Sequence, residues 1–206
     1  VVAHLESRQI IDASSARDFN GFGYETEDIE SEVGLCLSDI RGQKQACYLL
    51  ELAACGAHSI LFSGPSGVGK TMLAQRLPTI LPDLSNLQRL ELLAIQSVSA
   101  KGIVDTGYRP PHKVPHSSIS DPALLGGGSH AYPGEISLAH NGSLFLDEIA
   151  EFKRATLEAL RVPLEAGEIS ISRLNSQQIY PARFQLVAAA NPCACGYLDH
   201  PELTCV

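Results

Sequence analysis

Eight residues limit what this chain can fold into more than any others: Gly64-Pro65-Ser66-Gly67-Val68-Gly69-Lys70-Thr71, with the spacing G-x-x-x-x-G-K-T. The apolar run His58 to Ser63 before them reads as a buried strand, and Met72 to Leu77 reads as the helix that follows. Strand, glycine loop and helix together are the setting of a phosphate-binding loop. Glycines let backbone N–H groups turn inward around phosphate oxygens, and a helix start adds a favourable dipole. In such a loop Lys70 reaches the β- and γ-phosphates and the Thr71 hydroxyl ligates Mg²⁺. The expectation is a nucleotide-binding protein.

A chain of 206 residues can bury a full core, and 45% apolar with 18% charged residues is an ordinary globular balance. No apolar run approaches the roughly 20 residues that span a bilayer, and no signal peptide is visible, so no membrane location is expected. The net charge of −8 argues against a surface dominated by phosphate contacts. Five acids, Glu25, Glu27, Asp28, Glu30 and Glu32, stand together with no basic residue among them. Without them 18 acidic residues face 15 basic ones, so the body is near neutral and leaves room for a local basic pore or loop. Of the six cysteines, Cys36, Cys47 and Cys55 are scattered through apolar or helical sequence and read as reduced core residues. Free thiols in such a chain point to the cytoplasm. The chain begins at Val1 and its only methionine is Met72, so it reads as part of a longer protein.

Residues 1–37 read as the end of a preceding domain followed by an acidic linker, and residues 38–206 as one α/β nucleotide domain. Gln43 to Ala54 is amphipathic, with Ala46, Leu49, Leu50 and Ala53 at helical spacing. Pro78 and Pro82 end the helix after the glycine loop, and another helix runs from Leu84-Ser85 to about Val98. Ser99 to Asp121 reads as loop, and Ala123 to Gly128 as a glycine-rich turn. Phe152 to Gly167 reads as a helix with Leu157, Leu160 and Leu164 on one face. Glu168 to Arg173 alternates like a strand and Gln178 to Tyr180 answers it, which predicts a β-hairpin. Arg183 to Ala190 is a further buried strand that stops at Asn191-Pro192. Strands alternating with helices imply a parallel sheet covered on both faces, a three-layer αβα arrangement.

Ser143-Leu144-Phe145-Leu146 is a buried strand that ends in two acids, Asp147 and Glu148. In a P-loop fold such a strand is expected beside the P-loop strand, at the crevice beyond the strand ends. Asp147 there holds Mg²⁺, directly or through water, and Glu148 polarises the attacking water as general base. Asn191, a neutral amide at the end of the next buried strand, can orient that water or touch the γ-phosphate.

These residues carry a family resemblance. Gly64–Thr71 as Walker A, Leu144–Glu148 as Walker B and Asn191 as sensor 1 resemble an AAA+ ATPase. The segment Pro133 to Gly142 and the 168–181 hairpin resemble the branch with a helix-2 insert and a pre-sensor-1 hairpin. The strings LLGGGSHAYPGEISLAHNGSLFLDEIAEF, LRVPLEAGEISISR and YPARFQLVAAANPCACGY are similar to the ComM/YifB proteins, often labelled magnesium chelatase-like. The resemblance covers roughly residues 37–206. It implies a homo-hexameric ATPase using ATP and Mg²⁺ and driving branch migration of DNA in natural transformation. Ile40 and Gly42, at the start of the domain, are further candidates to touch the nucleotide. The family pattern also has parts expected beyond residue 206: a last core strand, an arginine finger given in trans, and a helical lid with sensor 2. A chain lacking them is expected to turn over ATP weakly.

The family's P-F-R-x-P-H-H-[ST] stretch appears here as Pro111-His112-Lys113-Val114-Pro115-His116-Ser117-Ser118, with an aromatic, an arginine and a histidine replaced. Cys193, Cys195 and Cys205 are similar to a family C-x-C…C-x-C cluster, which implies a Zn²⁺ site in the full-length protein, since four thiolates close a tetrahedral site. Contact with single-stranded or branched DNA is expected from loops facing a ring channel, with Arg173, His130 and Tyr132 as candidates. Two other readings stand beside a DNA motor: a magnesium chelatase motor subunit acting on a metal-insertion partner, and a nucleotide-switch scaffold without turnover. Glu148 at the base position argues against the last.

Overall fold

In the computed structural model, residues 35–104, 107–128, 131–173 and 176–191 are described, and they alternate helix and strand as the apolar runs predict. A 3₁₀ turn at Leu37–Asp39 precedes helix α1 (Lys44–Gly56), strand β1 (Ile60–Ser63), the glycine loop and α2 (Lys70–Ala74). Next come α3 (Leu77–Ile80), α4 (Asn86–Ser97), β2 (His112–Lys113), α5 (Asp121–Leu125), β3 (Gly126–Gly127), β4 (Tyr132–Pro133) and α6 (Glu135–Leu138). The remainder is β5 (Ser143–Leu146), α7 (Arg154–Ala159), α8 (Arg161–Ala166), β6 (Glu168–Arg173), β7 (Ser176–Pro181) and β8 (Gln185–Ala190). Helix α4 starts at a reciprocal cap. Ser85 Oγ accepts the Gln88 N–H at 3.3 Å and Gln88 Oε1 accepts the Ser85 N–H at 2.9 Å, which satisfies two donors that the first turn leaves free.

Four strands form a parallel sheet in the order β1-β8-β5-β2. Successive side chains on a strand point to opposite faces, so each strand feeds two cores. Phe145, Val187 and Ala189 pack with Phe62, Leu50, Leu73 and Leu77 on the face that carries α1 and α2. Leu144 and Leu146 pack with Leu124, Ile136, Phe152, Leu160 and Ile169 on the other face. All four β5 side chains are buried, and full burial of each leucine contributes about 1.5–3 kcal/mol. Beside the sheet, β6 and β7 form the predicted antiparallel hairpin, and β3 and β4 a short antiparallel ribbon. The Tyr180 hydroxyl of the hairpin donates to the Ala131 carbonyl at 3.0 Å, joining the two.

Several expectations are corrected. The strand ending in Asp147 does not lie beside the P-loop strand, because β8 runs between them. Pro78 opens α3 rather than ending α2: in a helix's first turn its missing N–H has no partner to lose. The helix expected over 152–167 is two, meeting at Leu160. Pro163 cannot donate to the carbonyl of Ala159, and the break turns Leu164 outward. Leu49 of α1 is exposed as well, the buried stripe being Leu50, Ala53 and Ala54. The loop expected over 99–121 contains β2, whose pairing with Ser143 and Leu144 covers the edge of β5. The glycine-rich turn expected over 123–128 is instead the end of α5 followed by β3. Cys36 and Cys55 are free but exposed, so they are not core residues, whereas free Cys47 is half-buried and packs against the core around α1.

Candidate nucleotide site

The glycine loop joins β1 to α2. Val68 sits between two glycines with left-handed backbone, Gly67 at φ +81° and Gly69 at φ +91°, a region that costs other residues about 1–2 kcal/mol each. Lys70 folds back over the loop, and its Nζ donates to the Gly64 carbonyl at 2.7 Å, the Pro65 carbonyl at 2.8 Å and Asn191 Oδ1 at 2.9 Å. Thr71 Oγ1 donates to Asp147 Oδ2 at 2.8 Å. Both contacts follow from the strand order. The central strand β8 delivers Asn191 to the lysine, and β5, one strand further, delivers Asp147 to the threonine. Two oxygen donors side by side, one a carboxylate, are the set a hard divalent cation such as Mg²⁺ accepts, so Thr71 and Asp147 fit that ion.

Glu148 follows in the left-handed region, at φ 49° and ψ 53°, unusual for a residue with a Cβ. Its N–H donates to Asp147 Oδ1 at 2.9 Å and its carbonyl accepts the Glu151 N–H at 2.8 Å. These two bonds hold a turn that carries the chain away from the strand and leaves the Glu148 side chain exposed. Ile40 is buried in the core around α1, and Gly42 has left-handed backbone at φ +78°. Sequence reasoning missed Gln43, whose Nε2 donates to the Val68 carbonyl at 3.2 Å. A glutamine before an amphipathic helix carries no signal of such a contact.

Two histidines brace the strands that present these groups. His112 of β2 bonds Ser143 Oγ through Nδ1 at 2.8 Å and stacks on Phe145 at 6.4 Å between ring centroids. Its Nε2 is buried without a partner, and burial pushes its pKa down to about 4. His140 is buried at the turn before β5. Its Nδ1 accepts the Arg183 N–H at 3.1 Å, so Nε2 carries the hydrogen and faces Glu91 Oε2 at 3.2 Å. Burial lowers the His140 pKa, while the Asn141 amide and then His140 hold the Glu91 carboxyl below its usual range.

A cavity of about 530 Å³ lies elsewhere, lined by Gly142, Gln185, Leu84, Pro163 and Arg183 near the starts of β5 and β8, the ends opposite Asp147 and Asn191. Tyr132 is in β4 and partly exposed. His130, the Arg173 side chain and the cysteines Cys193, Cys195 and Cys205 lie outside the described residues, as does most of 1–37. Among the described residues no group of three or more metal-ligating side chains occurs, and no helix is long and apolar enough to cross a membrane.

Sheet order, glycine loop and the convergence of three strand ends on one crevice define the class: a P-loop NTPase core of the AAA+ type. The chain belongs to the magnesium-chelatase-type AAA+ family that includes ComM and YifB, since the family described as magnesium chelatase, subunit ChlI, matches residues 36–206. YifB of Escherichia coli (strain K12) is 53% identical over 170 residues, 82% of this chain and 34% of YifB. Competence protein ComM of Haemophilus influenzae is 51% identical over 164 residues, 79% of this chain and 32% of ComM. Among solved structures, the complex of magnesium chelatase subunits BchI and BchD shares the fold. Its TM-score is 0.52 at 22% identity, over 76% of this chain and 54% of that one. The chain spans about a third of the length of the curated relatives it matches.

Proposed function

We propose that this chain is the nucleotide core of an ATP-hydrolysing motor that works on DNA as a homo-hexamer, migrating branches during natural transformation. The observation that carries the catalytic half is the pairing of Lys70 with Asn191 and of Thr71 with Asp147 where the glycine loop meets the ends of β8 and β5. In this reading the loop N–H groups and Lys70 bind the β- and γ-phosphates, with Ile40 and Gly42 toward the base. Thr71 and Asp147 hold Mg²⁺, which when bound neutralises charge on the phosphates. Glu148, one residue beyond the metal-binding acid, takes the proton of the attacking water, and Asn191 orients either Lys70 or that water. An arginine from a neighbouring subunit completes the site. The DNA half rests on likeness to the competence protein ComM. The matched family's own description favours a second reading, a motor subunit acting on a metal-insertion partner.

Turnover of the full-length protein, measured with and without branched DNA, tests both halves. Lys70→Ala should abolish nucleotide binding or turnover, and retained activity would refute the site. Branched DNA should stimulate the wild type. Absent stimulation and absent strand displacement would remove DNA from the proposal and leave the metal-insertion motor.

A further inference from the structure

We infer that Gln43 is a positioning residue of the glycine loop, setting the direction of the Gly69 N–H by holding the Val68 carbonyl. The inference rests on the nucleotide-binding reading above. Gln43 is anchored from its own side. Its carbonyl accepts the Cys47 N–H at 3.0 Å, and the helix it opens is fixed in the core by Leu50, Ala53 and Ala54. With Gly42 at φ +78° and Gln43 itself at φ 39°, the chain turns sharply into α1, and the amide spans to a loop carbonyl 25 residues onward.

The loop needs such a hold. Val68 stands between two glycines, the residue type whose backbone rotates at least cost, so local sterics say little about how the peptide from Val68 to Gly69 faces. That peptide is trans and planar, so its C=O and N–H point in opposite directions. Holding the carbonyl toward Gln43 therefore holds the Gly69 N–H away from it. Gly69 is fixed on its other side too, its carbonyl accepting the Leu73 N–H at 2.9 Å. With both flanking peptides tied, the N–H cannot swing. Released, the peptide can flip and present the Val68 oxygen where the hydrogen was, replacing a donor to phosphate with a repelling acceptor.

The consequence falls on phosphates and spares the base, which gives the test its form. Affinities of the full-length protein for ADP and for inorganic pyrophosphate are measured by displacement of a fluorescent ADP analogue, in wild type, Gln43→Ala and Gln43→Glu. Gln43→Ala should weaken ADP and pyrophosphate by the same factor, about tenfold, the scale of one hydrogen bond to a charged acceptor. Gln43→Glu, of equal reach but with no donor for a carbonyl, should weaken both further. Gln43 is exposed, so melting temperatures should match the wild type, and the KM for ATP should rise with kcat little changed. Unchanged affinities in both variants, or weakened ADP beside unchanged pyrophosphate, would overturn the inference. A wild-type protein that binds neither ligand is a separate result: it refutes the nucleotide reading and this inference with it.

Discussion

Acid should unfold this protein partly through His112. The ring is neutral in the fold, with Nδ1 engaged by Ser143 and Nε2 buried with no acceptor to receive a second proton. Its pKa falls from 6.5 to about 4, so between those values the unfolded chain binds a proton that the folded chain does not. Stability therefore declines as pH falls through 6.5, and this contribution is spent near the folded value. A shift of about 2.5 units, at roughly 1.4 kcal/mol per unit, makes the whole effect about 3.5 kcal/mol, of which about 2 kcal/mol is lost between about pH 7.5 and about pH 5. Buried His140, lowered in the same direction, steepens the same slope. His112→Gln keeps an amide for Ser143 and removes the titration. Urea unfolding of both proteins at the two pH values measures the difference directly. The variant should lose about 2 kcal/mol less than the wild type over the interval. Equal losses would show that the buried ring does not govern the acid response.

Four further outcomes are expected. Glu148→Gln should keep nucleotide binding but lower turnover by about a hundredfold or more, measured as steady-state phosphate release beside an equilibrium binding titration. Leu144→Ala, at a side chain with no exposure, should cost about 3–5 kcal/mol in denaturant unfolding. Leu61→Ala on β1, 60% exposed, should cost less than about 1 kcal/mol. Tyr180→Phe removes the bond to Ala131 and should raise amide hydrogen exchange in β3 and β4, leaving the parallel sheet as protected as before.

What the sequence made legible was whatever a short window determines. The glycine loop, the apolar run of β5 and the alternation of β6 were each readable from fewer than ten neighbouring residues. Strand order was not, because parallel pairing is decided by packing between distant segments, and β8 entered between β1 and β5 without any local sign. The two-residue β2 is shorter than any periodicity can show. Leu49 and Leu164 have the spacing of buried positions, but the faces of α1 and α8 were set by tertiary contacts and by Pro163. At the candidate site, residue type and place single out Lys70, Thr71, Asp147 and Asn191, and the fold brings the first to the last and the second to the third. The partners they chose, and the contact of Gln43 with Val68, depend on side-chain reach across elements that no spacing encodes.

Among the described residues the two cores, one on each face of the sheet, share no side chain, and this bears on how the protein can change over generations. Substitutions in one core share neighbours and should combine non-additively, so a loss at Leu124 can be offset by a change at Ile136 or Ile169. Substitutions in opposite cores, such as Leu50 and Leu160, should show little epistasis. The half that carries the glycine loop and the half that carries the hairpin are thereby free to drift on separate clocks. A lineage could re-tailor the hairpin without disturbing the packing beneath the glycine loop.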